Sequence, residues 1–235
     1  MSTKNIELYD LHIHTEWSDG DDPVDTVIKT AEDKGLKVIG ICDHLSEIKA
    51  SVPFEPEGIQ DYITEIRECA ENYKKVQVFI GLEIDFFPIE EKGIDLKVLK
   101  DFDYLLFEDA TKLQTLKKLS TWAKEYQNKN KNPLIGISHP NLRWPDPLMD
   151  KMLEFISDAH LFLEFNANYT SNYEEAKNTE IYEKLKNLKN IKFSICSDSH
   201  SISTIGNFNY AWEFLEGLGF GPLEDRLPEL FKIKS

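Results

Sequence analysis

Apolar runs rich in β-branched and aromatic residues, at 8–13, 36–42, 76–84, 104–107, 134–137, 161–165 and 191–196, alternate with segments of helical character. The latter fall at 23–34, 58–74, 111–127, 147–159, 173–188 and 208–216. In the third of them Leu113, Leu116, Leu119 and Ala123 recur on one side. Asp22 is placed to cap the first helix and Gly35 to end it. Strict β–α alternation predicts a parallel sheet, because successive parallel strands need a crossover and a helix is the usual one. There is no internal repeat and no low-complexity linker, so one domain over residues 1–235 is expected.

Five of the six histidines lie in four short segments, each at the end of an apolar run. These are Asp10-Leu11-His12-Ile13-His14-Thr15, Cys42-Asp43-His44, Ser138-His139-Pro140 and Ser197-Asp198-Ser199-His200. Gly81-Leu82-Glu83-Ile84-Asp85 adds carboxylates in the same setting. An open doubly wound sheet would gather its site residues at one crossover point. Here they come from the first, second, third, fifth and last strands, and a closed barrel brings all those ends to one mouth. The expected fold is therefore α/β, a TIM-like barrel.

Residues two apart on a strand share a face, so His12 and His14 both point inward, and Asp198 and His200 repeat that spacing on the last strand. In a closed barrel the first and last strands are neighbours, which sets the two pairs side by side. Imidazole is the commonest transition-metal ligand and Glu83 can bridge two ions. Buried, hydrogen-bonded histidines are the alternative, but an apolar strand seldom turns two titratable rings inward without a metal or charged partner. Asp10 shares the parity of His12 and would orient a ligand, and Asp85 is either a rim carboxylate or an ordinary loop residue. His160 precedes its strand and is read as structural or surface.

The order HxHT…SDG…DH…GLE…HP…SDSH, from Asp10 to His200, resembles the polymerase and histidinol phosphatase (PHP) family of metal-dependent hydrolases. That resemblance implies a distorted (β/α)7 barrel with up to three clustered metals at its C-terminal mouth. By motif position, His12, His14, Glu83 and Asp198 resemble the ligands of one ion. Glu83 and His139 resemble ligands of a second. His44 and His200 resemble those of a third, completed by Asp19 where some relatives carry histidine. One motif departs: Ala110 stands where members commonly carry a histidine at the end of the fourth strand. Glu108, of the same parity, is the expected replacement ligand and Asp109 the next choice. The other outcome is a second site left weak or empty, with His139 binding substrate instead.

The implied chemistry is hydrolysis of a small phosphate monoester by metal-bound hydroxide, with two or three divalent ions (zinc, manganese or iron) and Glu83 holding their spacing. His200 or Asp198 would assist protonation of the leaving group. Arg143, in the loop after His139, is the expected phosphate contact, because a guanidinium grips phosphate in a bidentate way; the alternative is a surface pair with Asp146. Asn166, Asn168, Tyr169, Trp17 and Trp144 are expected to shape the pocket. Within the resemblance a histidinol phosphatase is one identity; an amidohydrolase-like C–N hydrolase and a non-catalytic scaffold on the same barrel are the competing classes.

Lys and Arg total 27 against 42 Asp and Glu, a net charge of −15. Long nucleic acid recruits basic surfaces and is not an expected partner. Cys42, Cys69 and Cys196 show no CxxC spacing, which suits a reducing compartment, with Cys42 and Cys196 read as small core residues. No run approaches membrane-spanning length, and a cytoplasmic location is expected.

Overall fold

The computed structural model describes residues 9–53, 55–85, 87, 89–92, 94–108, 110, 112–130, 133–177, 180–188 and 191–220. Leu8, Asp109 and Thr111, which figure in the expectations above, lie outside them. The strands are β1 (Tyr9–Ile13), β2 (Val38–Leu45), β3 (Gln77–Ile84), β4 (Tyr104–Phe107), β5 (Leu134–Ile137), β6 (Phe162–Asn166) and β7 (Phe193–Cys196). The helices are α1 (Val24–Asp33), α2 (Pro56–Ala70), α3 (Leu113–Gln127), α4 (Asp146–Asp158), α5 (Ser171–Glu174), α6 (Ile181–Asn187) and α7 (Asn209–Gly217). All seven strands are parallel and lie in chain order in one sheet. Helices cover the outside through apolar stripes: α1 buries Val24, Val27, Ile28 and Ala31, the i, i+3, i+4, i+7 positions of one face.

The sheet curls into a nearly closed, distorted (β/α)7 barrel. At the seam, His14 N donates to Ser199 O (2.8 Å) and Ser199 N to His12 O (3.2 Å), forming a parallel bridge between Ile13 and Ser199. The Asp10 carboxylate completes it by accepting from Ser197 N (2.9 Å), Ser197 Oγ (2.5 Å) and Gly206 N (2.8 Å). Asp10 therefore ties β1 to the chain after β7 and does not orient a ligand side chain. The register of β1 against β2 slips between Asp10 and Ile13, which breaks the simple alternation that put Asp10 beside His12.

The floor of the barrel is aromatic. Tyr104 reaches across the interior to donate to Leu11 O (2.6 Å) and meets Phe162 edge-on, with centroids 6.4 Å apart. Glycines make room for these rings: a Cβ at Gly81 would lie 2.3 Å from Tyr104 Cζ, and one at Gly40 2.2 Å from its hydroxyl. Gly81→Ala should therefore destabilise the protein by about 1–3 kcal/mol through overpacking, read as a lower urea midpoint at unchanged slope.

Two local expectations are corrected. Pro23, not Asp22, is the residue before α1; Asp22 instead accepts from Ile202 N (3.0 Å) and pins the loop after β7. The expected helix over 173–188 is two helices, with α5 ending at Glu174, α6 starting at Ile181, and Tyr182 Oη donating to the Tyr173 carbonyl between them. Gly35 does end α1, at φ +83°. Among the described residues no helix is long and apolar enough to cross a membrane.

Candidate metal centre

Parallel pairing lines up the ligands before any ion is considered. His44 of β2 is the register partner of Glu83 of β3, so both side chains leave the sheet on the same face. His12 of β1 and Glu164 of β6 enter from other strands, and the strand-end loops carry His14, Asp19, Glu108, His139, Asp198 and His200 into the same space.

Glu83 is the hub. Its Oε2 lies 3.3 Å from His12 Nε2, 3.0 Å from His44 Nδ1 and 3.7 Å from His14 Nε2, and its Oε1 lies 3.2 Å from His139 Nε2. Ser138 Oγ also donates to Oε1. His14 Nε2 contacts Asp198 Oδ1 at 3.0 Å, while its Nδ1 faces Asp19 Oδ1 at 3.6 Å. Asp19 reaches His200 Nε2 (3.3 Å) and His44 Nε2 (3.5 Å). Glu108 Oε1 stands 3.6 Å from His139 Nε2 and 3.9 Å from His44 Nδ1. All nine residues expected as ligands thus meet in one cluster.

Burial makes this cluster expensive in protein alone. Burial would raise Glu83, yet His12, His139 and His44 hold its carboxyl well below the usual range. Burial also opposes the charge on His44 and His139. Asp19 and Glu83 outweigh it at His44, held up at about 9, and Glu108 and Glu83 outweigh it at His139, held up at about 10. His12 is likewise raised against burial by Glu164, Glu83 and Asp198, whereas burial wins at His14 and lowers it. Even so, the hydrogen bonding does not close: His12 Nε2 and His44 Nδ1 are buried without a hydrogen-bond partner, although both stand over Glu83 Oε2. Imidazole nitrogens converging on a carboxylate oxygen without hydrogen-bond alignment are what a divalent cation satisfies. One atom each from His12, His14 and Glu83 lie within 4.8 Å of one another, and so do atoms of His14, Asp19, His44 and His200 and atoms of His44, Glu83 and Glu108. The donor set fits metal.

A second layer fixes these ligands. Glu164, which the sequence reading passed over, accepts from His12 Nδ1 (2.7 Å) through Oε1, and its Oε2 accepts from His139 N (2.9 Å). Its signal was a single carboxylate inside the apolar run 161–165. Cys196 lies near His12 and Glu164, but burial holds its thiol well above its usual range and Glu164 already occupies the imidazole's other nitrogen. Asn166 Nδ2 donates to Asp198 Oδ2 (3.0 Å) and Asn168 Nδ2 to Asp198 O (2.6 Å). Those bonds hold Asp198 in the left-handed region at φ +54°, as the Asn172 and Glu164 bonds hold His139 at φ +27°. Such backbone costs roughly 1–3 kcal/mol per residue and clusters at functional sites. Glu164→Gln should weaken zinc affinity about 10–100-fold while leaving the fold intact, measured by competition with a chromophoric chelator.

Other expectations land elsewhere. Arg143 is exposed, and its guanidinium pairs with Glu175 and donates to Asn141 Oδ1 (3.0 Å). The cation that does enter is Lys49, whose Nζ lies 2.5 Å from Glu108 Oε1 and 3.4 Å from His44 Nε2. Nothing in its spacing marked it, because it sits on a loop. Tyr169 stacks on His139 at 4.1 Å, and Trp144 is buried. Trp17 packs on Tyr62 and donates to Glu65 (3.0 Å), Asp85 binds Ser46 Oγ, and His160 is exposed at the opposite end of β6.

Comparison with known proteins gives a consistent picture. A family model described as the PHP domain matches residues 10–218. The DNA polymerase/3'-5' exonuclease PolX of Bacillus subtilis is 24% identical over 165 residues, 68% of this chain but 29% of that protein. The chain thus spans under a third of that relative's length. Among solved structures, the histidinol phosphate phosphatase of Lactococcus lactis, complexed with zinc, L-histidinol and phosphate, superposes with a TM-score of 0.63 at 14% identity. That match covers 91% of this chain and 94% of the other. A structure from work on the metal-dependent tyrosine phosphatases YwqE of Bacillus subtilis and CpsB of Streptococcus pneumoniae gives 0.59 at 18% identity, covering 97% and 95%.

Proposed function

The chain belongs to the PHP family, and on that premise we propose that it is a metal-dependent phosphatase acting on a small phosphate monoester. The observation that carries this reading is the buried His12 Nε2, turned without a hydrogen bond onto an oxygen of Glu83 on which His14 and His44 also converge. His12, His14, Glu83 and Asp198 would hold one divalent ion and Asp19, His44 and His200 a second, with zinc, manganese and iron all suited to mixed imidazole and carboxylate ligation. Bound ions of this kind lower the pKa of water and polarise phosphoryl oxygens.

The remaining work falls to the chain. Glu164 fixes the ring of His12 through Nδ1, leaving Nε2 as the ligand atom. Asn166 and Asn168 hold the Asp198 carboxylate on His14. His139, protonated at neutral pH under the pull of Glu108 and Glu83 and stacked on Tyr169, presents a positive charge to a substrate phosphate. Water supplies the new oxygen on phosphorus, the ester P–O bond breaks, and the departing alkoxide takes up a proton. His200, partly exposed, is hydrogen-bonded through Nδ1 to Asp198 O (3.1 Å), which turns its Nε2 to Asp19. The net charge of −15 favours a small ester over long nucleic acid.

The test is a panel of phosphomonoesters set beside cyclic amides, assayed with manganese, zinc or iron on wild-type protein and on His12→Ala. Phosphate release that needs metal and is lost in His12→Ala is the expected result, and the preferred ester names the substrate class. Turnover of a cyclic amide with no phosphate release would replace this reading by a C–N hydrolase.

A further inference from the structure

Ala110 is buried and offers no ligand atom, so among the described residues Glu108 serves the β4 end of the cluster. The cation facing Glu108 is part of the chain. Lys49 Nζ sits 2.5 Å from Glu108 Oε1 and 3.4 Å from His44 Nε2, while the same Glu108 oxygen lies 3.6 Å from His139 Nε2. We propose that the Lys49 ammonium takes the place of a third metal ion beside Glu108, so that this chain carries two divalent ions and one fixed monovalent charge. The proposal rests on the metal-centre reading above and adds to it a stated number of ions.

The position of Lys49 is built. Ser46 Oγ, itself bound to Asp85, accepts from Ile48 N (3.1 Å) and Lys49 N (2.9 Å), closing a tight turn directly after β2. Ser51 Oγ donates to Ser46 O (3.2 Å), and Val52 N returns to His44 O (2.9 Å), so the loop is stitched back onto the strand that carries a ligand. The lysine stem is thereby aimed at the cluster rather than at solvent; its side chain is 31% exposed. Its charge also matches what the site lacks. Glu83 and Glu108 both face this corner with ionised carboxylates, and each is close to His139. An ammonium donating to Glu108 neutralises part of that charge with three N–H donors and no ligand set. A dication drawn to the same oxygen would stand against a positive charge at hydrogen-bond distance, which disfavours its entry. A histidine in place of Ala110 would favour an ion here; alanine together with Lys49 favours the ammonium.

The test counts metal. Stripped protein is equilibrated with excess manganese or zinc, freed of loose metal on a desalting column, and the ions per chain are measured by mass spectrometry at one pH. Wild type should hold two, Lys49→Met three, and Lys49→Arg two. Adding Glu108→Gln to Lys49→Met should return the count to two, which separates a specific site from stray binding. Lys49→Gln serves as a second neutral variant if Lys49→Met does not fold. A wild type with three ions, or neutral variants that match a two-ion wild type, overturns the proposal and leaves the metal centre standing. A wild type with none overturns the metal centre itself, and this proposal with it.

Discussion

Glu83→Gln should lower phosphatase kcat/KM by on the order of 10³-fold or more and remove the ion held with His12, His14 and Asp198. The substitution keeps shape and volume and removes one negative charge from the point where His12, His14, His44 and His139 converge. An amide carries no charge to offset a cation, and its NH₂ would point a donor at imidazole nitrogens or at a metal. Loss of several kcal/mol of transition-state stabilisation, about 4, corresponds to about three decades of rate. The metal-free fold suffers as well, because charged imidazoles lose the carboxylate that compensates them in a buried setting. Steady-state kinetics with metal analysis on the same sample checks both parts. Wild-type turnover in Glu83→Gln would show that the cluster is not where the chemistry occurs.

Metal affinity should rise by about tenfold per pH unit for each proton displaced, across the range from pH 6 to 8. The sign follows from the metal-free cluster. Glu83, Asp198 and Asp19 are held below the usual carboxylate range, so they are already ionised and release nothing. His44 is held up at about 9, so it carries a proton at neutral pH that a metal must expel, and His12 is raised in the same direction. Calorimetry in two buffers of different ionisation heat reads the protons released directly. The same protons predict the stability of stripped protein. A raised imidazole contributes stability that is fully present below its unfolded value of about 6.5 and fades as pH climbs through the folded value. Stripped protein should therefore lose stability between pH 7 and 9 through His44, while the loaded protein, whose His44 is already deprotonated, should not.

The barrel and most of its cluster are legible in the sequence for one physical reason. Strand parity and strand ends are local properties, and a parallel barrel converts them into convergence without further information. His44 and Glu83 needed only their positions at the ends of apolar runs to become register partners. What escaped depends on contacts between distant segments. Asp10 looked like a ligand orienter by parity, but the register slip in β1 and the bridge from Ile13 to Ser199 make it the clasp of the seam. Glu164 was readable in principle, as a carboxylate in an apolar strand, yet its partner His12 lies 152 residues away. Arg143 was chosen for its chemistry and its loop, whereas a surface glutamate and an asparagine claim its guanidinium. Lys49 owes its place to a serine turn whose geometry no spacing rule encodes.

The central claim is that this buried imidazole–carboxylate cluster binds the metal that hydrolyses a phosphomonoester. The most direct measurement is phosphate release from the best ester of the panel during titration of stripped protein with manganese. The account predicts no release from stripped protein, recovery that saturates at about two equivalents per chain, and none at any metal level for Glu83→Gln. Full activity in stripped protein, or in Glu83→Gln, would contradict it.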